Sequence, residues 1–110
     1  MPNGEDANLA RLATCIADYH ARYGDWPTHV RFTPPFLADI AVIIGPHSLE
    51  RLAELMEVRT ERGDWEHGIS VGGRYGVVRY DDFPHHLPPE GNEGAWEWLR
   101  ANGVKPHISQ

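Results

Sequence analysis

The first part of the chain carries apolar side chains at intervals of three and four residues, at Leu9, Leu12, Ile16, Tyr19 and Tyr23. This spacing places them on one face of a helix and predicts an α-helix over residues 6–23 that ends at Gly24. The next segment, residues 28–32, alternates between polar and apolar positions. Val30 and Phe32 then share one side, which is typical of a short, half-buried strand.

A nearly continuous apolar run follows, and its start has the signature of a helix N-terminus. Thr33 suits the N-cap and Pro34 the first helical position, so the sequence predicts a buried helix from this point. The Gly-Pro pair at 45–46 interrupts that helix, and we expect Ser48 to cap a second, amphipathic one. Residues 57–61 then predict a strand with Val58 directed inward.

The segment 65–80 predicts a β-hairpin turned on two adjacent glycines, Gly72 and Gly73. Glycine accepts the positive φ angles that a two-residue hairpin turn requires, so this register sets Val71 opposite Arg74. One face of the hairpin then carries core residues, namely Trp65, His67, Ile69, Val71, Val78 and Tyr80. The other face is half polar and carries Glu66, Ser70, Tyr75, Val77 and Arg79.

The order of predicted elements is helix, strand, two helices, three strands and helix, the last helix being capped by Asn92 and ended at Gly103. Clustered strands joined by short connections favour an α+β fold over a doubly wound parallel sheet. We expect a three-stranded antiparallel meander plus one further strand, packed against three to four helices. The whole chain, residues 1–110, is predicted to be a single small domain with 1–5 and 104–110 as flexible tails.

Composition narrows the classes of function. The 110 residues carry a net charge of −6, with 16 acidic against 10 basic side chains, and no basic run that would displace counterions from nucleic acid. The sequence has neither an apolar segment of membrane-spanning length nor a signal-peptide pattern. Cys15 is the single cysteine, so an intrachain disulfide is excluded and a reducing, cytoplasmic setting is expected. We therefore expect neither nucleic acid nor membrane as a partner.

Candidate chemistry is concentrated in one loop. Residues 81–86 contain two aspartates and two histidines, and Asp82, His85 and His86 are of metal-ligand type. No second ligand set, phosphate loop, dinucleotide fingerprint or nucleophile motif accompanies them, and Cys15 is expected to be a packed thiol. The alternative hypothesis is therefore a small enzyme or metal-binding domain that uses this loop. No cofactor is predicted.

The favoured reading is a small non-enzymatic binding or regulatory protein that acts on a protein partner or by self-association. Aromatic residues and arginine anchor protein interfaces, which directs attention to the half-polar hairpin face. We expect Glu66, Tyr75, Val77 and Arg79 to form the binding surface of a homodimer or of a complex with another protein. The alternative is a purely structural role, in which the first or last helix covers this face.

A resemblance to other sequences concerns fold rather than chemistry. The run from Tyr19-His20 to Trp26-Pro27-Thr28, an arginine in the next strand, Pro35 at the start of an apolar helix, and Gly73-Arg74-Tyr75 are shared features. Together they resemble a loose pattern in small bacterial proteins of unknown function. The resemblance implies a small α+β domain and implies no activity.

Overall fold

A computed structural model describes residues 4–61, 68–79 and 93–105. Within these ranges the chain forms three helices and four strands, which confirms the α+β class. In chain order they are α1 (Gly4–Tyr23), β1 (His29–Phe32), α2 (Pro34–Leu55), β2 (Glu57–Thr60), β3 (Ile69–Gly73), β4 (Gly76–Arg79) and α3 (Glu93–Ala101). No helix of this described part is long and apolar enough to cross a bilayer.

The four strands form one mixed sheet in the order β2-β1-β3-β4. β1 runs parallel to β2 and antiparallel to β3, and β4 pairs antiparallel with β3. The predicted three-stranded antiparallel meander is therefore wrong, because β2 joins the far side of β1 instead of pairing with β3. A helix between two strands returns the chain to the end where the first strand began, so the connection through α2 makes β2 parallel to β1.

The apolar face of the sheet forms the core with the helices. Val30, Val71 and Val78 lie in one cross-strand row, and none of them is more than 1% exposed. Phe32 and Ile69 make the next row and are equally inaccessible. Burying side chains of this size contributes about 1.5–3 kcal/mol each before the cost of ordering them. α1 packs on β3 and β4, while α2 packs on β1 and β2.

The predicted interruption of the second helix is confirmed, but its cap differs from the prediction. Gly45 has φ 80° and ψ 168°, a conformation that breaks the helix and that favours glycine, and Pro46 follows it directly. Ser48 lies three positions after this break and not at the break itself. Its side chain is buried, and its hydroxyl accepts a hydrogen bond from the backbone N–H of Lys105 at 3.4 Å. Because Gly45 already provides the break, Ser48 is available to hold the chain after α3.

The hairpin is confirmed, but its turn lies at Arg74 and Tyr75 and not at the glycine pair. Gly73 pairs with Gly76, and Val71 lies opposite Val78 instead of Arg74. Neither glycine of the predicted turn has a positive φ. The pairing thus slips by an even number of positions, and a strand alternates faces with a period of two. For that reason the predicted division between core face and half-polar face holds for the described residues, with Ile69, Val71 and Val78 in the core and Val77 and Arg79 on the other face. The remaining predicted members, Trp65, Glu66, His67 and Tyr80, lie outside the described residues.

Packing against α1 explains where the turn lies. A Cβ atom on Gly73 would collide with the hydroxyl of Tyr19, and one on Gly76 would lie 2.7 Å from the hydroxyl of Tyr23. Tyr19 is fully buried, and its hydroxyl accepts a hydrogen bond from the backbone N–H of Tyr75 at 3.4 Å. The glycines are therefore needed for the space they leave to two tyrosines.

The described residues extend into both segments predicted to be tails. α1 begins at Gly4, within the segment expected to be flexible. Val104 is only 2% exposed, and its backbone N–H donates to the carbonyl of Leu99 at 2.9 Å. The apolar side chain of Val104 is what draws this end of the chain onto the core, and sequence periodicity does not reveal a single such residue.

Candidate interface on the outer strand and open sheet face

The second face of the sheet, called here the open sheet face, is organised as two cross-strand rows. The strand register places Glu57, His29, Gly72 and Val77 in one row, and Arg59, Arg31, Ser70 and Arg79 in the next. An acidic chain thus concentrates three arginines in one row. Like charges on neighbouring strands repel, so this row needs compensating carboxylates.

Carboxylates compensate the arginines at the β2 side of the open sheet face. Arg59 donates two hydrogen bonds to Glu57, from Nε to Oε2 at 3.0 Å and from Nη2 to Oε1 at 2.9 Å. Arg31 lies 3.7 Å from Glu61, measured between Nη1 and Oε1. The hydrogen bonds from Arg59 lower the pKa of the Glu57 carboxyl. These pairs fix the charge pattern of this side without adding much stability, since exposed ion pairs contribute little.

His29 lies between Glu57 and Gly72 in the first of these rows. A Cβ atom on Gly72 would be 2.5 Å from His29 Nε2, so only glycine leaves room for the imidazole on this face. Burial lowers the pKa of His29, and the charges of Arg59 and Arg31 lower it further. The neutral imidazole is therefore favoured at this point of the sheet.

The two outer strands of the sheet differ in their exposed side chains. On β2 the exposed positions include Glu57 and Arg59, which pair with each other. On β4 the exposed positions are Val77, 48% accessible, and Arg79. Tyr75, in the turn that leads into β4, is 54% exposed although its ring stacks on Tyr23 with centroids 6.0 Å apart. An outer strand with an exposed apolar residue such as Val77 is a template for pairing with another strand.

Three of the four predicted binding residues are described, and one of them, Tyr75, lies apart from Val77 and Arg79. Val77 and Arg79 share the open sheet face, in neighbouring rows. Tyr75 lies at the end of the hairpin, where Arg74 is 5.5 Å from its ring centre. Glu66 lies outside the described residues. A surface of Val77, Arg79 and the hairpin tip is therefore what the structure offers from that prediction.

The alternative metal site, Asp82 with His85 and His86, also lies outside the described residues. In the part of the chain that is described, no group of three or more His, Cys, Asp or Glu side chains is arranged to hold a metal ion. Cys15 has no exposed surface, which agrees with its interpretation as a packed core residue.

Sequence reasoning missed an aromatic stack between α1 and α3. The rings of His20 and Trp26 stack with centroids 3.9 Å apart, and those of Trp26 and Trp98 with centroids 4.6 Å apart and planes within 6°. Both tryptophans are half-buried. Their spacing of more than 70 positions carries no local signal, so only the packing of α3 on α1 brings them together.

Comparison of the chain with models of known protein families, with curated proteins and with solved structures finds no match in any of the three.

Proposed function

We propose that this chain is a small binding protein that self-associates by pairing β4 with β4 of a second copy. The observation that carries the proposal is the contrast between the two outer strands: β2 presents an ion pair, and β4 presents Val77. Strand addition at an outer edge supplies backbone hydrogen bonds that need no special side chains. A two-fold pair uses the same strand twice and so requires no further partner.

The sheet faces restrict the register of such a pair. Side chains alternate between the two faces along each strand, so odd-numbered and even-numbered residues of β4 lie on opposite faces. The apolar faces of the two sheets are therefore continuous only if odd-numbered residues of one copy lie opposite odd-numbered residues of the other. Centring the two-fold axis on Val77 meets this condition and buries the exposed valine of each copy against the other. Arg79 of each copy then lies opposite Tyr75 of the other, and Gly76 opposite Val78.

The length of β4 sets the expected affinity. Four residues on each side form a short interface, below the roughly 800 Å² per partner of tight complexes. We therefore expect a dissociation constant on the order of 10 µM, which corresponds to about 7 kcal/mol of binding free energy.

Cysteine cross-linking tests both the interface and its register. Opposite residues of an antiparallel pair have Cα atoms about 4.5–5.5 Å apart, within the range that a disulfide bridges. Val77→Cys should therefore form a covalent dimer under mild oxidation. Cys15 has no accessible surface and does not compete.

Two control variants make this test specific. Val42→Cys places a thiol at an exposed valine of α2, 67% accessible, and measures random collision. Arg79→Cys should cross-link poorly, because the two copies of this residue would lie four positions apart along the pair, about 13 Å. Equal cross-linking of Val77→Cys and Val42→Cys would contradict the proposed interface, and preferential cross-linking of Arg79→Cys would contradict the register.

A further inference from the structure

A cleft between α1 and α3, which shares no residue with β4, has the features of a ligand site. We call it the aromatic cleft; it is lined by Ala17, His20, Ala21, Trp26, Gly94, Ala95, Glu97 and Trp98. Its volume of about 480 Å³ falls in the range of small-molecule sites, which is about 300–1,000 Å³. The aromatic residues are those of the stack, with His20 and Trp98 on either side of Trp26.

The lining of the aromatic cleft combines apolar surface with one acidic group. Alanine and glycine residues form much of the lining, and their short side chains leave the cleft wide. Glu97 is the charged carboxylate among the lining residues, and it also borders an adjoining depression that contains Glu93 and Arg100. Because both faces of Trp26 are covered in the stack, the cleft offers a ligand the edge of Trp26, the ring of Trp98 and the Glu97 carboxylate, with short side chains between them.

This combination favours one class of ligand. Tryptophan rings attract cations electrostatically, and a neighbouring carboxylate adds a charge-assisted hydrogen bond to a guanidinium or ammonium group. The same carboxylate disfavours anions. The alanine and glycine surface accepts an aliphatic stem, which a compact, hydrated metal ion lacks.

We propose that the aromatic cleft binds an organic cation, specifically a guanidinium group carried on an apolar stem. The proposal is independent of β4 pairing, since the two sites share no residue. A guanidinium is planar and stacks on aromatic rings while donating several hydrogen bonds to a carboxylate. The Glu97 carboxylate is the group that distinguishes this ligand from a neutral one of the same shape.

The test uses butylguanidinium, with butylurea as its neutral isostere. Each is titrated into the full chain while the indole N–H resonances of the four tryptophans are followed by ¹⁵N NMR. Butylguanidinium should shift the Trp26 and Trp98 resonances and saturate in the millimolar range, as expected for a ligand of so few atoms. Butylurea should bind at least about threefold more weakly. Equal affinity for the two compounds, or no saturable shift with either, would overturn the proposal.

Matched variants separate a ligand contact from a structural role. Glu97→Gln should weaken butylguanidinium binding about threefold to fivefold and leave butylurea binding and the melting temperature unchanged. Glu54→Gln removes another exposed carboxylate, one paired with Arg51 at 2.9 Å, and should leave both affinities unchanged. If both variants weakened butylguanidinium binding equally, the effect would come from the net charge of the protein, and the proposed role of Glu97 would be wrong.

A third ligand distinguishes a free cation from a protein side chain as the source. A blocked Gly-Arg-Gly tripeptide carries the same guanidinium on a polypeptide backbone. Tighter binding of the tripeptide than of butylguanidinium assigns the cleft to an arginine side chain of a partner. Weaker binding assigns it to a small molecule, and both results retain the guanidinium specificity that defines the proposal.

Discussion

The two outer strands of the sheet have the same length and opposite surfaces. β2 shows solvent a carboxylate and a guanidinium that satisfy each other through two hydrogen bonds. β4 shows solvent Val77 and places Arg79 at its end. Charged side chains on an outer strand oppose pairing with another chain, and apolar ones permit it. The side chains of β2 therefore oppose association with another chain, whereas those of β4 are compatible with it.

The two strands also differ in how the helices hold them. β4 depends on α1 through the close approach of tyrosine hydroxyls to Gly73 and Gly76. β2 is the direct continuation of α2, whose last residue, Leu55, precedes it by two positions. The apolar edge is therefore positioned by long-range packing, and the charged edge by local chain connection.

The largest effect is expected from Gly73→Val, which breaks the contact that positions β4. The new side chain would collide with the buried Tyr19, and overpacking of this kind costs about 1–3 kcal/mol. In a chain of this length each kcal/mol lowers the melting temperature by roughly 4–8 °C. Gly94→Ala is the control, because its Cβ would meet nothing within 4 Å and alanine favours the helix. Similar melting temperatures for the two variants would show that the tyrosine contact does not hold the hairpin.

The next effect concerns the apolar edge itself. Val77→Lys gives β4 the kind of charged side chain that β2 already has, and should weaken self-association at least about tenfold while retaining the fold. Thr60→Lys adds the same charge to an exposed position of β2 and should leave association unchanged. Sedimentation of both variants at matched concentrations measures the difference. If Thr60→Lys weakens association as much as Val77→Lys, net charge and not the edge is responsible.

A smaller effect is expected at the ends of the proposed strand pair. Tyr75→Ala combined with Arg79→Ala should shift the protein towards monomer severalfold, because both positions flank the central valine and neither carries most of the buried area. Both side chains are exposed, so the melting temperature should change little. Loss of folding in the double variant would place these residues in the core instead.

The smallest effect is a pH dependence of the free energy of unfolding that comes from His29, in the row of side chains between β2 and β4. The folded state lowers the pKa of His29 below its ordinary value of 6.5, so the unfolded chain takes up a proton first as the pH falls. This contribution to stability is complete above about pH 7 and is lost as the pH falls through 6.5 to the lower folded-state pKa. His29→Gln should flatten the stability profile between about pH 7 and 5, measured by urea unfolding. His47→Gln, at an exposed position of α2, should leave the profile of the wild type unchanged.

Local patterns predicted most elements of this fold but not their arrangement. The positions of α1 and α3 follow from apolar spacing and from Gly24 and Gly103 after their last turns, and that of β1 follows from the alternation of Val30 and Phe32 with polar residues. The position of β2 does not, because strand pairing depends on how α2 returns the chain across the sheet. The hairpin turn was misplaced for a similar reason: Gly72 and Gly73 were interpreted by their φ preference, whereas packing against His29 and Tyr19 requires them.

The candidate sites show the same division. The face shared by Val77 and Arg79 could be predicted, because strand alternation is a local property that survives an even slip in register. The aromatic cleft could not, since Trp26, in the turn after α1, meets Trp98 of α3 only through the packing of segments distant in the sequence. The row of arginines across β2, β1 and β4 equally required the observed strand order.

Sedimentation velocity over a concentration series tests the central claim, association through β4, most directly. At about 5 µM the chain should sediment mainly as the 12.4 kDa monomer, and by about 200 µM mainly at twice that mass, in accordance with a dissociation constant on the order of 10 µM. Val77→Lys should reach the same fraction of dimer only at concentrations at least about tenfold higher. A wild-type chain that still sediments at 12.4 kDa at about 200 µM would contradict the account.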